Sequence, residues 1–124
     1  MEIFLVEDSL PVRARLAEML GSIPGARLVG EAASADDAIR RILAARPDVV
    51  VLDLNLAGGT SGLEVLRAVC REAPEIDVYM LSNFAAYPYR QLAERLGARE
   101  FFDKTREFER VREILAQRAA AVQQ

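Results

Sequence analysis

The sequence predicts an α/β domain, a doubly wound sheet of five parallel strands flanked by five helices. Three observations carry that reading. Apolar periodicity alternates, five times each, between short continuous runs and residues spaced by threes and fours. The most continuous run, Val49-Val50-Val51-Leu52, shows no polar alternation, as a central parallel strand covered on both faces requires. Helical stretches rather than tight hairpin turns separate the strands, so the connections are right-handed crossovers.

Residues 3–6 form the first strand, and Val12, Leu16, Met19, Leu20 and Ile23 line one face of the helix that follows, with Pro11 in its first turn. The break at residues 22–25 leads to a short strand over 27–30. Ser34 and Asp37 make a capping-box pattern before a helix on Ala35, Ala38, Ile39, Ile42 and Leu43, which Pro47 ends. The third strand closes on Asp53. Ser61 with Glu64 repeats the capping pattern, Leu63, Leu66 and Cys70 mark an inner helical face, and Pro74 stops that helix. Residues 76–81 make the fourth strand, 89–96 a helix capped by Gly97, and 99–102 the last strand. Thr105 opens a final helix with Phe108, Val111 and Leu115 inward. The domain is expected over 1–120, with 121–124 as a tail or the start of a linker.

Composition narrows the function. The 124 residues suit one domain, and no apolar run of about 18 residues is present to cross a membrane. The start lacks the basic stretch and long apolar segment of a signal peptide, which makes a cytoplasmic location the expectation. A net charge of -3 supplies no general attraction to nucleic acid. Cys70, the only cysteine, reads as a small hydrophobe rather than a redox thiol. Histidine is absent, so chemistry must rest on carboxylates, hydroxyls and amines. Among 16 basic residues, Lys104 is the single lysine, a compact charge in an otherwise arginine-based sequence.

Ligands of open α/β sheets bind beyond the carboxyl ends of the strands, where strand order reverses. The residues expected at that rim are Glu7, Asp8, Asp53, Ser82 and Lys104. Three converging carboxylates repel unless a cation neutralises them, and hard oxygen ligands without His or Cys suit Mg²⁺. Each residue also has a plainer reading: the acidic pair as helix caps, Asp53 as a turn residue, Lys104 as a solvated charge. Their shared place at one rim favours the site.

Together these motifs resemble the receiver domains of bacterial response regulators in two-component signalling, over essentially the whole chain. Glu7-Asp8 is similar to the family's metal-binding pair, and Val-Leu-Asp-Leu-Asn, with Asp53 and Asn55, to its phosphoacceptor strand. Ser82, Lys104 and Phe101 occupy the places of the switch hydroxyl, the lysine after the fifth strand and the switch aromatic. The resemblance implies a CheY-like, flavodoxin-like sheet of order 2-1-3-4-5. It further implies that Asp53 takes a phosphoryl group from a histidine kinase, a phosphotransfer protein or a small donor such as acetyl phosphate. Mg²⁺ would be held by Glu7, Asp8, Asp53 and the Asn55 backbone carbonyl. Lys104 and Ser82 would contact the phosphoryl oxygens, and Ser82 and Phe101 would move together to alter a partner-binding or dimerisation face. Such a domain catalyses only its own phosphorylation and dephosphorylation. Periodicity alone leaves Phe101 as readily a core aromatic.

Several positions depart from the family pattern. Ala57 and Thr105 stand where prolines are common, and the turn Ala57-Gly58-Gly59-Thr60 is one residue longer than usual. Asn83 and Phe84 follow Ser82 and are expected to restrict access to Asp53, slowing phosphate loss. Tyr87-Pro88-Tyr89 offers either packing or an interaction surface. The residues also admit two other functions: a receiver-like scaffold that is never phosphorylated, and a small phosphohydrolase. Asn55 weakens the second, because a second catalytic aspartate would be needed two residues after Asp53.

Overall fold

Alternation along each strand divides the apolar side chains between two cores, and the helices cover one core each. The computed structural model describes residues 1–56, 61–83 and 87–122. The turn at 57–60 and Phe84, singled out above, lie outside them, as do the side chains of Tyr87 and Pro88. The strands are β1 (Glu2–Val6), β2 (Arg27–Ala32), β3 (Val49–Asp53), β4 (Asp77–Ser82) and β5 (Glu100–Asp103). They form one parallel sheet of order β2-β1-β3-β4-β5, the predicted architecture.

The helices are α1 (Leu10–Gly21), α2 (Ala35–Ala45), α3 (Gly62–Glu72), α4 (Tyr87–Leu96) and α5 (Phe108–Val122). Phe4, Val6, Val50, Leu52, Val78, Met80 and Phe101 face α2, α3 and α4. The alternate residues Ile3, Leu5, Val49, Val51, Tyr79, Leu81 and Phe102 face α1 and α5. All five residues of β3 are buried, which is why its sequence lacks polar alternation. Strand order reverses beside β1, so the carboxyl ends of β1 and β3 flank the crevice where a ligand belongs.

The chain caps its helices with local polar groups. Ser34 Oγ accepts from the Asp37 N–H at 3.4 Å, as its pattern predicts. Ser61 Oγ accepts from Leu63 N–H at 3.1 Å, whereas the Glu64 N–H turns to the Ser61 carbonyl at 3.0 Å. The buried face of α3 is Gly62, Val65, Leu66 and Val69, with Leu63 and Cys70 half-buried at its margins. Burial pushes the Cys70 thiol pKa up, in keeping with an inert hydrophobe.

The final helix differs from expectation. It begins at Phe108 rather than Thr105, because the Asp103 carboxylate captures the N–H groups of Thr105 at 2.8 Å and Arg106 at 3.0 Å. Those bonds hold a turn that competes with helix. The last strand is likewise shifted by one residue, to Glu100–Asp103.

Candidate phosphoacceptor site

Backbone hydrogen bonds bring Glu7, Asp53, Ser82 and Lys104 to the carboxyl edge of the sheet, and Asp8 follows Glu7 directly in the chain. The Glu7 N–H donates to the Ala32 carbonyl at 3.0 Å, extending the β1–β2 ladder one residue beyond β1. Asp53 ends β3, and the next N–H, of Leu54, donates to the Leu81 carbonyl at 2.9 Å. Ser82 ends β4 with its side chain buried, and its carbonyl accepts from the Lys104 N–H at 2.9 Å. Asp53 and Ser82 are thus placed by strands, and Glu7 and Lys104 are tied to strand ends by backbone hydrogen bonds, which gives more precise positioning than a free loop.

The side chains converge. One carboxylate oxygen from each of Glu7, Asp8 and Asp53 lies within 4.8 Å of the others. Glu7 is 1% exposed and Asp53 6%, whereas Asp8 is exposed. Lys104 Nζ hydrogen-bonds the Glu7 carboxylate and stands 3.1 Å from Asp53 Oδ1. Glu7 also accepts from the Ser9 N–H at 3.2 Å. Burial raises the Glu7 pKa above the ordinary glutamate value, with the Asp53 charge adding to the rise and Lys104 opposing it. These groups, with Asn55 and Asn83, line a cavity of about 250 Å³. A larger groove of about 550 Å³, along β4, β5 and the end of α5, contains none of them. Clustered oxygen donors, including one exposed carboxylate, fit a hard divalent cation that keeps several waters.

Phe101 is buried against the α2, α3 and α4 core, with the Arg90 guanidinium 5.5 Å from its ring centre. Asn83 is exposed at the cavity edge.

One residue beside the site has no clear signature in the sequence. Gly62 opens α3, and its N–H donates to the Leu54 carbonyl at 2.6 Å. A Cβ there would lie 2.0 Å from the Asp53 carbonyl oxygen. The only sequence signal is a glycine immediately after the Ser61 cap, which does not distinguish this close approach from helix entry.

Comparison with known proteins agrees with the geometry. Residues 3–116 match the response regulator receiver domain family. The DNA-binding transcriptional activator DevR/DosR of Mycobacterium tuberculosis is 38% identical over 86 residues, 69% of this chain and 39% of its own length. Response regulator UvrY of Escherichia coli K12 is 30% identical over 104 residues, covering 84% of this chain and 47% of its own. The chain therefore spans less than half the length of these relatives. A LuxR-family two-component response regulator from Aurantimonas sp. SI85-9A1 superposes with TM-score 0.88 at 26% identity, covering 97% of this chain and 85% of that one. The receiver domain of NtrX from Brucella abortus gives TM-score 0.79 at 30% identity, over 94% and 96%. This chain belongs to the response regulator receiver domain family of two-component signalling.

Proposed function

We propose that this receiver takes a phosphoryl group on Asp53 and transmits the modification through Ser82 and Phe101. The carrying observation is the lysine shared by two buried carboxylates: Lys104 Nζ contacts both Glu7 and Asp53 inside the cavity. Burying these charges is costly, and one ammonium offsets only part of the cost for two carboxylates, which leaves a net negative site suited to a further cation. A carboxylate oxygen of Asp53 attacks phosphorus. The bond to the donor, a kinase or phosphotransfer-protein histidine or the acyl oxygen of acetyl phosphate, breaks, and its electron pair leaves with the donor. Phosphoryl transfer needs mainly positioning and charge stabilisation.

Glu7, Asp8, Asp53 and the Asn55 carbonyl would hold Mg²⁺, which supplies positive charge to the phosphoryl oxygens. Lys104 exchanges its present carboxylate partners for a phosphoryl oxygen, and the Ser82 hydroxyl donates to another. The new group adds about -1.5 to -2 charges, enough to draw Ser82 inward. Phe101 then turns toward the vacated space, which alters the face of α4, β5 and α5. A partner or a second copy of the chain reads that face. Asn83, at the mouth, and Phe84 limit water access to the product. Buried site charges and family membership both weigh against a scaffold that is never phosphorylated.

Incubation with Mg²⁺ and acetyl phosphate is expected to add one phosphoryl mass to the intact protein. Asp53→Asn or a chelator should abolish it. No adduct on the wild type with any donor class would overturn the proposal.

A further inference from the structure

We propose that Glu107 is a positioning residue of the phosphoryl-transfer site, tying the turn that carries Lys104 to the arginine that covers Phe101. The inference rests on the function proposed above. Glu107 lies three residues after Lys104, in the turn between β5 and α5. Its Oε1 accepts from the Asp103 N–H at 3.0 Å, and its own N–H donates to the Asp103 carbonyl at 2.9 Å. This reciprocal pair closes the turn around Lys104. The Lys104 N–H is fixed separately by the Ser82 carbonyl at 2.9 Å. Thr105 follows the lysine and, unlike proline, does not fix φ. The turn therefore depends on hydrogen bonds for its shape.

The same carboxylate also meets two arginines, one from α4 and one from α5. Its Oε1 is 3.6 Å from Arg90 Nη2, and its Oε2 accepts from Arg110 Nη1 at 2.8 Å. Arg90, in α4, holds its guanidinium 5.5 Å from the Phe101 ring centre, a cation–π distance. Arg110 is held in turn by Glu100 at 3.6 Å. One side chain thus meets the backbone that aims Lys104 and the cation that lies over the ring expected to move. The side chains of Arg90 and Glu107 are 32% and 23% exposed, so this pair is partly sheltered from solvent.

Two substitutions separate the two duties. Glu107→Gln keeps an acceptor for the Asp103 N–H and loses the charge facing Arg90. Glu107→Ala loses both. Binding of beryllofluoride with Mg²⁺, followed by ¹⁹F NMR, reports the preorganisation of Lys104, and the Phe101 ring resonances report its cover. Glu107→Ala should weaken beryllofluoride binding about tenfold, the order expected for one hydrogen bond. Glu107→Gln should stay within about twofold of wild type, since a backbone N–H still finds its acceptor. It should nevertheless shift the Phe101 resonances, as should Arg90→Met. If Glu107→Ala does not fold, Glu107→Leu fills the space without an acceptor and carries the same expectation. Wild-type affinity in the Ala or Leu variant, or a Gln variant as weak as they are, would overturn the coupling while leaving the phosphoacceptor proposal intact. Failure of the wild type to bind beryllofluoride would overturn both.

Discussion

Gly62→Ala tests whether the start of α3 is built against the acceptor strand. The added methyl would sit 2.0 Å from the Asp53 carbonyl oxygen, 3.0 Å from its carbonyl carbon and 3.1 Å from Leu54 Cα. All three are backbone atoms, so no side chain can rotate away. A carbon and a carbonyl oxygen need about 3.3 Å, and the helix or the strand end must move by roughly 1.3 Å. Overpacking of this kind costs about 1–3 kcal/mol. The movement also stretches the bond from the Gly62 N–H to the Leu54 carbonyl, now 2.6 Å, which adds about 1 kcal/mol. A total near 3 kcal/mol lowers the melting temperature by about 12 °C in a domain of this size. Displacing Asp53 by about 1 Å from Lys104 should also slow phosphorylation about 100-fold. Gly21 is the control: a Cβ there meets nothing within 4 Å, so Gly21→Ala should be neutral or stabilise by up to about 1 kcal/mol. Thermal unfolding by circular dichroism and acetyl phosphate labelling measure the two effects. A Gly62→Ala protein melting within about 3 °C of wild type, well under one kcal/mol, and labelling at the same rate would refute the reasoning.

Lys104→Met strands Glu7 and Asp53 without their shared cation, and about 2–3 kcal/mol of stability should be lost, below the full cost of an orphaned buried ion because Glu7 can take a proton. Saturating Mg²⁺ should restore part of it in a urea titration; a loss that Mg²⁺ leaves unchanged would contradict the shared site. The Asp103 N–H, followed by Arg110, holds the Glu107 carboxyl below the ordinary glutamate pKa. A depressed folded value means stability that is present above the ordinary glutamate range and is lost as pH falls through the folded value. The urea-midpoint gap between wild type and Glu107→Gln should therefore shrink on acidification through that window, and a constant gap would count against it. Phe84→Ala should shorten the aspartyl-phosphate lifetime, measured by decay of the labelled species, and an unchanged or longer lifetime would remove Phe84 as an access residue.

The parts legible in sequence are those where burial and regular backbone act together. Val49–Asp53 announces a central strand because both its faces are covered. Glu7, Asp53 and Ser82 stand out because each polar group abuts an apolar run at a strand end, and Lys104 because it is the single lysine and follows the last strand. Other features depend on contacts between distant parts of the chain or on competition between local bonds. Gly62 looks like any small residue entering a helix until the Asp53 carbonyl is placed against it. Apolar spacing places the start of α5 too early because the Asp103 side chain decides where the turn ends. Glu107 in sequence is one acidic residue among arginines, and only the fold brings Arg90 to it. On α3, spacing marked Leu63 and Cys70, whereas the helix turns Val65 and Val69 fully inward.

The most direct measurement is the position of the phosphoryl group. Borohydride reduction of an aspartyl phosphate leaves homoserine, which peptide mass spectrometry locates to a single residue. After Mg²⁺ and acetyl phosphate, homoserine is predicted at position 53 and at no other acidic position. Homoserine at Asp8 or another aspartate, 2-amino-5-hydroxypentanoic acid at Glu7 or another glutamate, or no reduced residue at all in protein that carries the phosphoryl mass, would contradict Asp53 as the acceptor.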